Sequence, residues 1–530
     1  MVILPQNMAR TLSELSIALL TAYERRYQTI AGETISVNPV VSELASWYEK
    51  FRTAMDLRDD EVILRSAIER ILKRRLVFSQ SGQEIAAPLI RELVWARYFP
   101  DASVPEAKVL KVAQTIDWHL VLEKKIHQKH RLNHSQVYEW IIHLLSSEIE
   151  DILRPGNEKN LMSNFIYQLF KNRIEISDDS EETRDIQVFI AVRRAYANDD
   201  LALIRFRLFR QLFGKLTEHN LEKVAEHFGQ AKNTFEQHLN YPLKERIYNY
   251  INNQKVPFLI LDDVLKENIG KNPQLLGDED SLNMAILNAC NRRYKTVVGK
   301  VHRAIVRSVV FIFFTKALLA LFIEGTFERF LYGEVLWASM ALNTLTPPAL
   351  MILVGLLIQT PSRENSFRIL YKINSILFDV EPNLGKSLIL QKKPKRIDPI
   401  LWVLFIIFWL ATFALSFGAI IFILTKFGVN PLSQAIFVFF LAIVSFVSYR
   451  INKTAHMYIL KDQKESIATI SFDFFFMPFI QVGRKLTQAV SQINIILFIF
   501  DFIIETPFKG IVAFFEQWLL FLRTQREKLE

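Results

Sequence analysis

The chain reads as all-α, a multi-helix N-terminal cytoplasmic domain followed by a membrane region, and three observations carry that reading. Gly and Pro are scarce, 16 and 18 in 530 residues of which 50% are hydrophobic, a composition that favours long helices over many short strands. In the first three hundred positions apolar residues recur at helical spacing. Beyond residue 300 the apolar residues merge into long runs, and about 20 of them in succession suffice to cross a bilayer.

The elements follow in order. The opening "MVILPQNMARTLSELSIALLTAYERR" lacks the basic start and small-residue cleavage site of a signal peptide, and "LSIALL" is too short to serve as its apolar core. "DLRDDEVILRSAIERILKRRL" (56–76) begins with acids and ends with Lys73, Arg74 and Arg75, the charge order that the helix macrodipole prefers. Positions 62, 63, 67, 68, 71 and 72 give it one buried face. Further helices are expected over 83–99, 105–132, 135–152, 157–175, 186–213 and 217–240, separated by Pro100, Pro105, Pro155 and Pro242. No repeat of fixed period is present. The acidic stretch "SDDSEETRD" (177–185) divides this part into subdomains 1–176 and 177–300.

Residues 301–450 carry four expected spans, about 304–324, 335–358, 400–425 and 432–449. The third, "ILWVLFIIFWLATFALSFGAIIFILT", has no charge. Loop charges orient the set: Arg292, Arg293, Lys295, Lys300 and Arg303 precede the first span, eight basic residues occupy 359–399, and Arg450, Lys453, Lys461 and Lys464 follow the fourth. The 325–334 loop carries Glu328 and Glu334 against Arg329. Basic loops stay inside, so both termini face the cytoplasm and the chain sits in the inner membrane. Residues 451–530 are expected to form interfacial or re-entrant amphipathic helices, because "IATISFDFFFMPFIQV" (467–482) and "INIILFIFDFII" (493–504) are short for spans and Thr487, Ser491, Asn494, Asp501 and Glu505 share one stripe. "IVAFFEQWLLFLRTQREKLE" reads as a surface-lying helix with a basic end.

The segments "WYEKFRTAMDLRDDEVILRSAIERILKRRL" (47–76) and "NTLTPPALM" (343–351) resemble uncharacterised multi-span helical membrane proteins of ultra-small uncultured bacteria. The resemblance covers about a tenth of the chain and implies a membrane location without an activity.

Charge and motifs exclude several functions. Residues 1–290 hold 37 Lys/Arg against 40 Asp/Glu, whereas 291–530 hold 27 against 15. The basic excess thus belongs to the hydrophobic half, where it follows membrane topology, and no nucleic-acid partner is expected. The single cysteine, Cys290, allows no intrachain disulfide and no thiolate metal cluster, and it suits a reducing cytosol. Lysines follow glycines 214, 270, 299 and 385, but no glycine stands five positions earlier to complete a phosphate loop. There is no G-x-G-x-x-G, G-x-S-x-G or H-E-x-x-H. In "EKKIHQKH" Glu123, His127 and His130 share a face, with His119 and His134 nearby, but Lys124, Lys125, Lys129 and Arg131 oppose a divalent cation. His219, Glu222 and Glu226 are expected to make helix-surface pairs, and "IRFRLFRQLFGK" (204–215) a core-facing helix with a basic edge. No cofactor or metal is expected.

What remains is an intramembrane polar set: Lys316, Asn343, Thr346, Pro347, Pro348, Asp473 and Asp501. A lysine at mid-span costs about 2.5–3.5 kcal/mol on insertion scales and is expected to face the bundle interior beside Asp473, Asp501 or Asn343. Glu324, about 12 Å further along an α-helix, is placed at the outer end. Pro347 and Pro348 are expected to break or kink the second span. The expected function is a membrane-anchored interaction or scaffold protein, with the lipid bilayer and a protein bound to the cytoplasmic domain as partners. The alternative is a transporter or channel component using Lys316 and the second span, for which four spans would have to assemble as a homo-oligomer.

Overall fold

The computed structural model describes residues 12–24, 63–154, 158–333, 335, 337–392, 398–460 and 467–491, with single positions between 42 and 49 and between 510 and 525. It is mostly helical, as expected. Two compact units emerge, one of residues 1–274, 375–393 and 499–530, the other of 275–374 and 394–498.

Among the described residues of the first unit two hydrophobic clusters are joined by shared helices. Helices Ile63–Leu76 and Gly82–Trp95 lay Ile68, Ile71, Leu72, Ile85, Leu89 and Leu93 against Val112 and Ile116 of the helix Ala107–Lys129. The second half of that long helix, through Leu122 and Ile126, enters the other core with Trp140, Ile141, Phe206, Phe209, Phe228 and Phe235. The helix His134–Leu153 serves both, with Leu145 and Ile149 in one and Val137 and Leu144 in the other. Burial of such side chains at roughly 1.5–3 kcal/mol each drives this packing. Asn133, Ser180 and Asp200 cap their helices by accepting from Ser135, Thr183 and Leu203 backbone N–H groups.

Two expectations for this unit are corrected. The single helix over 186–213 is two, Glu181–Val192 and Leu201–Phe213, because a π-turn at Arg193–Ala197 runs into Asn198, which is left-handed at φ 54°, and Asp200 starts a new helix. Asn tolerates that conformation where most residues do not. The helix over 157–175 stops at Phe170, and Ile174–Ile176 form a short strand, β1, paired in parallel with Leu388–Leu390, β2. Segment 375–393 is thereby built into the first unit. Arg173 donates to the carbonyls of Pro382 (2.6 Å) and Gly385 (3.3 Å), Tyr250 donates to that of Lys386 (2.8 Å), and Ser13 N–H bonds the Leu377 carbonyl (2.9 Å). The acidic stretch 177–185 lies within the same unit. Residues 50–62, where the helix 56–76 was expected to begin, lie outside the described residues.

Among the described residues of the second unit three helices are long and apolar enough to cross a membrane, not four: Glu279–Phe330, Pro399–Lys426 and Pro431–Ala455. The expected second span is the 21-residue helix Trp337–Leu357, which is uncharged throughout. The helix Ile467–Ser491 lies against Pro431–Ala455. Their contact is close at Gly483, where a Cβ would strike the Ala442 carbonyl and Phe446. Phe479 is fully buried there beside Phe437, Leu441 and Phe417. Residues 493–504, expected to be interfacial, lie outside the described residues.

Candidate functional site

The site begins with an irregularity in the helix that contains Lys316. Helix Glu279–Leu319 passes through a π-turn, Ala320–Glu324, into Gly325–Tyr332. Eight residues of α-helix would turn Glu324 about 80° away from the Lys316 face, but a π-turn absorbs one extra residue and returns it to within about 20°. Lys316 and Glu324 consequently meet as an ion pair, with both side chains 0% exposed. The carboxylate draws in two more helices. Its other oxygen accepts from Asn343 Nδ2 at 3.0 Å and from Ser433 Oγ at 3.1 Å. The Lys316 ammonium also lies 5.6 Å from the Phe440 ring centroid, within cation–π range. Lys316, Glu324, Asn343 and Ser433 thus tie together three helices.

One turn on, Glu328 is buried and accepts from Asn430 Nδ2 at 2.8 Å. Asn430 also caps the helix Pro431–Ala455, its Oδ1 accepting from Ser433 N–H at 2.8 Å. The Asn343 amide orientation follows from its neighbours: Nδ2 faces the Glu324 carboxylate and, at 3.5 Å, the Ser433 carbonyl, so the donor must point there. Its Oδ1 is buried without a hydrogen-bond partner. On the helix Pro399–Lys426 only Thr412 and Ser416 are buried; Ser416 Oγ has no partner, and Thr412 donates to its own Trp409 carbonyl.

The expected residues are distributed as follows. Lys316 and Asn343 come together, through Glu324. Thr346 is half-buried and Pro347 and Pro348 are buried on the same helix as Asn343, which runs unbroken through both prolines. The expected break is absent. Asp473 belongs to the helix Ile467–Ser491, but its side chain lies outside the described residues, as does Asp501 altogether. Glu324, Glu328, Asn430 and Ser433 were not singled out from the sequence. "NPLS" at 430–433 carried a usable signal, since Asn before Pro at a helix start marks a cap.

The first unit has its own buried charges. Arg65 reaches Asp200 at 2.5 Å and Glu69 at 2.6 Å, and Arg193 pairs with Asp199 at 2.6 Å. Burial pushes the nearby Glu150 carboxyl up to about 7, against the pull of Arg65 and Arg154. The arginines of 204–215 turn inward: Arg205 pairs with Glu236 at 2.5 Å and lies 4.5 Å over the Trp140 ring, and Arg210 is 3.4 Å from Glu148. The histidine group is no uniform solvated face. His119 is buried, bonded to the Thr115 carbonyl and 3.6 Å from Glu148, while His127 and His134 stack at 3.8 Å. Among the described residues no group of three His, Cys, Asp or Glu side chains is arranged to hold a metal. Glu222 pairs with Lys125 and Lys129 at 2.5 and 2.6 Å.

No protein-family model, curated protein or solved structure matches the chain.

Proposed function

We propose that the chain is a membrane-anchored scaffold that presents its first unit to soluble partners at the cytoplasmic face of the inner membrane. The observation that carries this reading is the closed state of the intramembrane charges. Lys316 and Glu324 neutralise each other with neither side chain exposed. Such a cluster joins helices, and it offers no wet path to an ion. The first unit supplies the other half, with two packed cores and a helical, charge-balanced surface. Both termini and the 359–399 loop are assigned to the cytoplasm by the Lys/Arg asymmetry. Recovery of one specific soluble partner by the full chain, and not by a chain lacking residues 1–274, supports the scaffold. A reporter near Lys395 that works only outside the cytoplasm refutes the orientation.

A second reading, a transporter or channel component, draws on Asn343 Oδ1 and Ser416 Oγ, two buried groups without partners. Solute flux in proteoliposomes above protein-free vesicles, abolished by Glu324→Gln, would favour it over the scaffold.

A further inference from the structure

Contacts within the second unit fix the levels of its helices. The Lys316 ammonium lies by the Phe440 ring, and Asn365 Nδ2 donates both to Tyr294 Oη (2.7 Å) and to the Tyr458 carbonyl (2.8 Å). As numbers rise from 294 to 316 on one helix they fall from Tyr458, just past the end of Pro431–Ala455, to Phe440 within it, so the two run antiparallel. Counting along them at equal rise brings Arg303 and Arg307 level with Arg450 and Lys453. The third helix, Trp337–Leu357, ends at the same level, because a Cβ on its Gly355 would meet the Ile305 side chain. Three helices therefore change from apolar to polar in one plane, and four cations stand in it.

All four cations are exposed, and none has a carboxylate partner among the described residues. Residues 281–323 contain no acid at all, and the nearest acid beyond the end of Trp337–Leu357 is Glu364. On their helix Arg303 and Arg307 occupy the side opposite to the buried Tyr294, Val297 and Val301. Tyr449, half exposed beside Arg450, adds an aromatic of the kind enriched at membrane interfaces. Unpaired guanidinium groups bind phosphate through two parallel hydrogen bonds, and cations set just outside an apolar span meet lipid phosphates at their own depth.

We propose that Arg303, Arg307, Arg450 and Lys453 form a binding surface for the phosphates of anionic phospholipids at the polar edge of the apolar helices. The inference rests on the membrane reading and adds a lipid class to it. Topology alone requires positive charge on one side; it does not require cations from two helices, exposed and without a carboxylate partner among the described residues, at one level. Each cation at an anionic surface strengthens binding roughly fivefold.

The test uses the full chain in nanodiscs of phosphatidylcholine mixed with phosphatidylglycerol, with the lipids retained through purification counted by mass spectrometry. Phosphatidylglycerol should be enriched around the wild type. Arg303→Gln/Arg307→Gln should lower its apparent affinity by roughly 25-fold, while Lys295→Gln, further from the apolar edge, should leave it within about twofold. The single substitutions, at roughly fivefold each, keep the test decisive where the pair fails to fold. Equal retention of both lipids by the wild type, or an unchanged affinity in the variants, overturns the inference. Competition by soluble glycerophosphoglycerol at the same concentration also overturns it, since the cations would then serve a free phosphodiester. Release of the chain from membranes by alkaline carbonate is a separate result, and it refutes the membrane reading itself.

Discussion

Removing one partner of the Lys316–Glu324 pair should cost far more than removing both. Breaking a buried pair typically costs about 3–5 kcal/mol, whereas replacing both partners by apolar groups is often neutral. The surroundings place the two single variants within that range. In Lys316→Met the Glu324 carboxylate keeps two donors, at 3.0 and 3.1 Å. Hydrogen bonds to a charged group contribute about 1.5–3 kcal/mol each, so the loss should fall near the low end, about 3 kcal/mol. In Glu324→Leu the ammonium keeps only the Phe440 ring, and Asn343 Nδ2 and Ser433 Oγ lose their acceptor. That loss should reach about 5 kcal/mol. The double variant carries no charge and should lie within about 2 kcal/mol of wild type, so that against single losses of about 3 and 5 kcal/mol the coupling energy should be at least about 6 kcal/mol. The assay is unfolding in mixed micelles titrated with dodecyl sulfate, followed by tryptophan fluorescence. Additivity within about 0.5 kcal/mol would refute the pairing.

Three further outcomes are expected. Glu150 stands at about 7 in the folded chain against an ordinary 4.5, so its favourable contribution is present below pH 4.5 and lost as pH rises through 7. Glu150→Gln should therefore stabilise the first unit by about 2–3 kcal/mol at pH 8 and flatten thermal melts taken between pH 4.5 and 8; an unchanged profile would count against the buried carboxyl. Gly483→Leu should loosen the helix Ile467–Ser491 from Pro431–Ala455 at a cost of about 1–3 kcal/mol, read as faster proteolysis after residue 460, and a variant as resistant as wild type would contradict the close approach at Ala442. Residues 1–290 expressed alone should be soluble and helical but should melt below the same segment supplied with a 375–393 peptide, and calorimetry showing no binding of that peptide would contradict the β1–β2 pairing.

Much of this was legible from periodicity. The helices over 83–99, 105–132, 135–152 and 217–240 sit within a few residues of their expected bounds, because each keeps one continuous apolar face. What failed did so where local geometry departs from 3.6 residues per turn. Arg193–Ala197 and Ala320–Glu324 are both π-turns, and neither leaves a compositional mark. The first hid a helix boundary. The second hid the partner of Lys316, since Glu324, about 12 Å along a straight α-helix, was placed at the outer end of the span rather than beside the lysine. Lys316 itself was placed correctly in the interior on cost alone. Of the break or kink expected at the two prolines, the break does not occur, since Trp337–Leu357 carries them without interruption. Neither three-residue strand could be read, because each exists only by pairing across more than two hundred positions.

That last pairing sets an order of events during synthesis. The first unit needs Leu388–Leu390 to complete its sheet, yet the two helices Glu279–Phe330 and Trp337–Leu357 are encoded in between. At about 5–20 residues per second, a ribosome that has finished residue 274 takes on the order of ten seconds to deliver residue 390. During that interval the nascent N-terminal part carries Ile174–Ile176 without its partner strand while the apolar helices emerge behind it. Completion of the first unit thereby waits for residues encoded after two helices of the second unit.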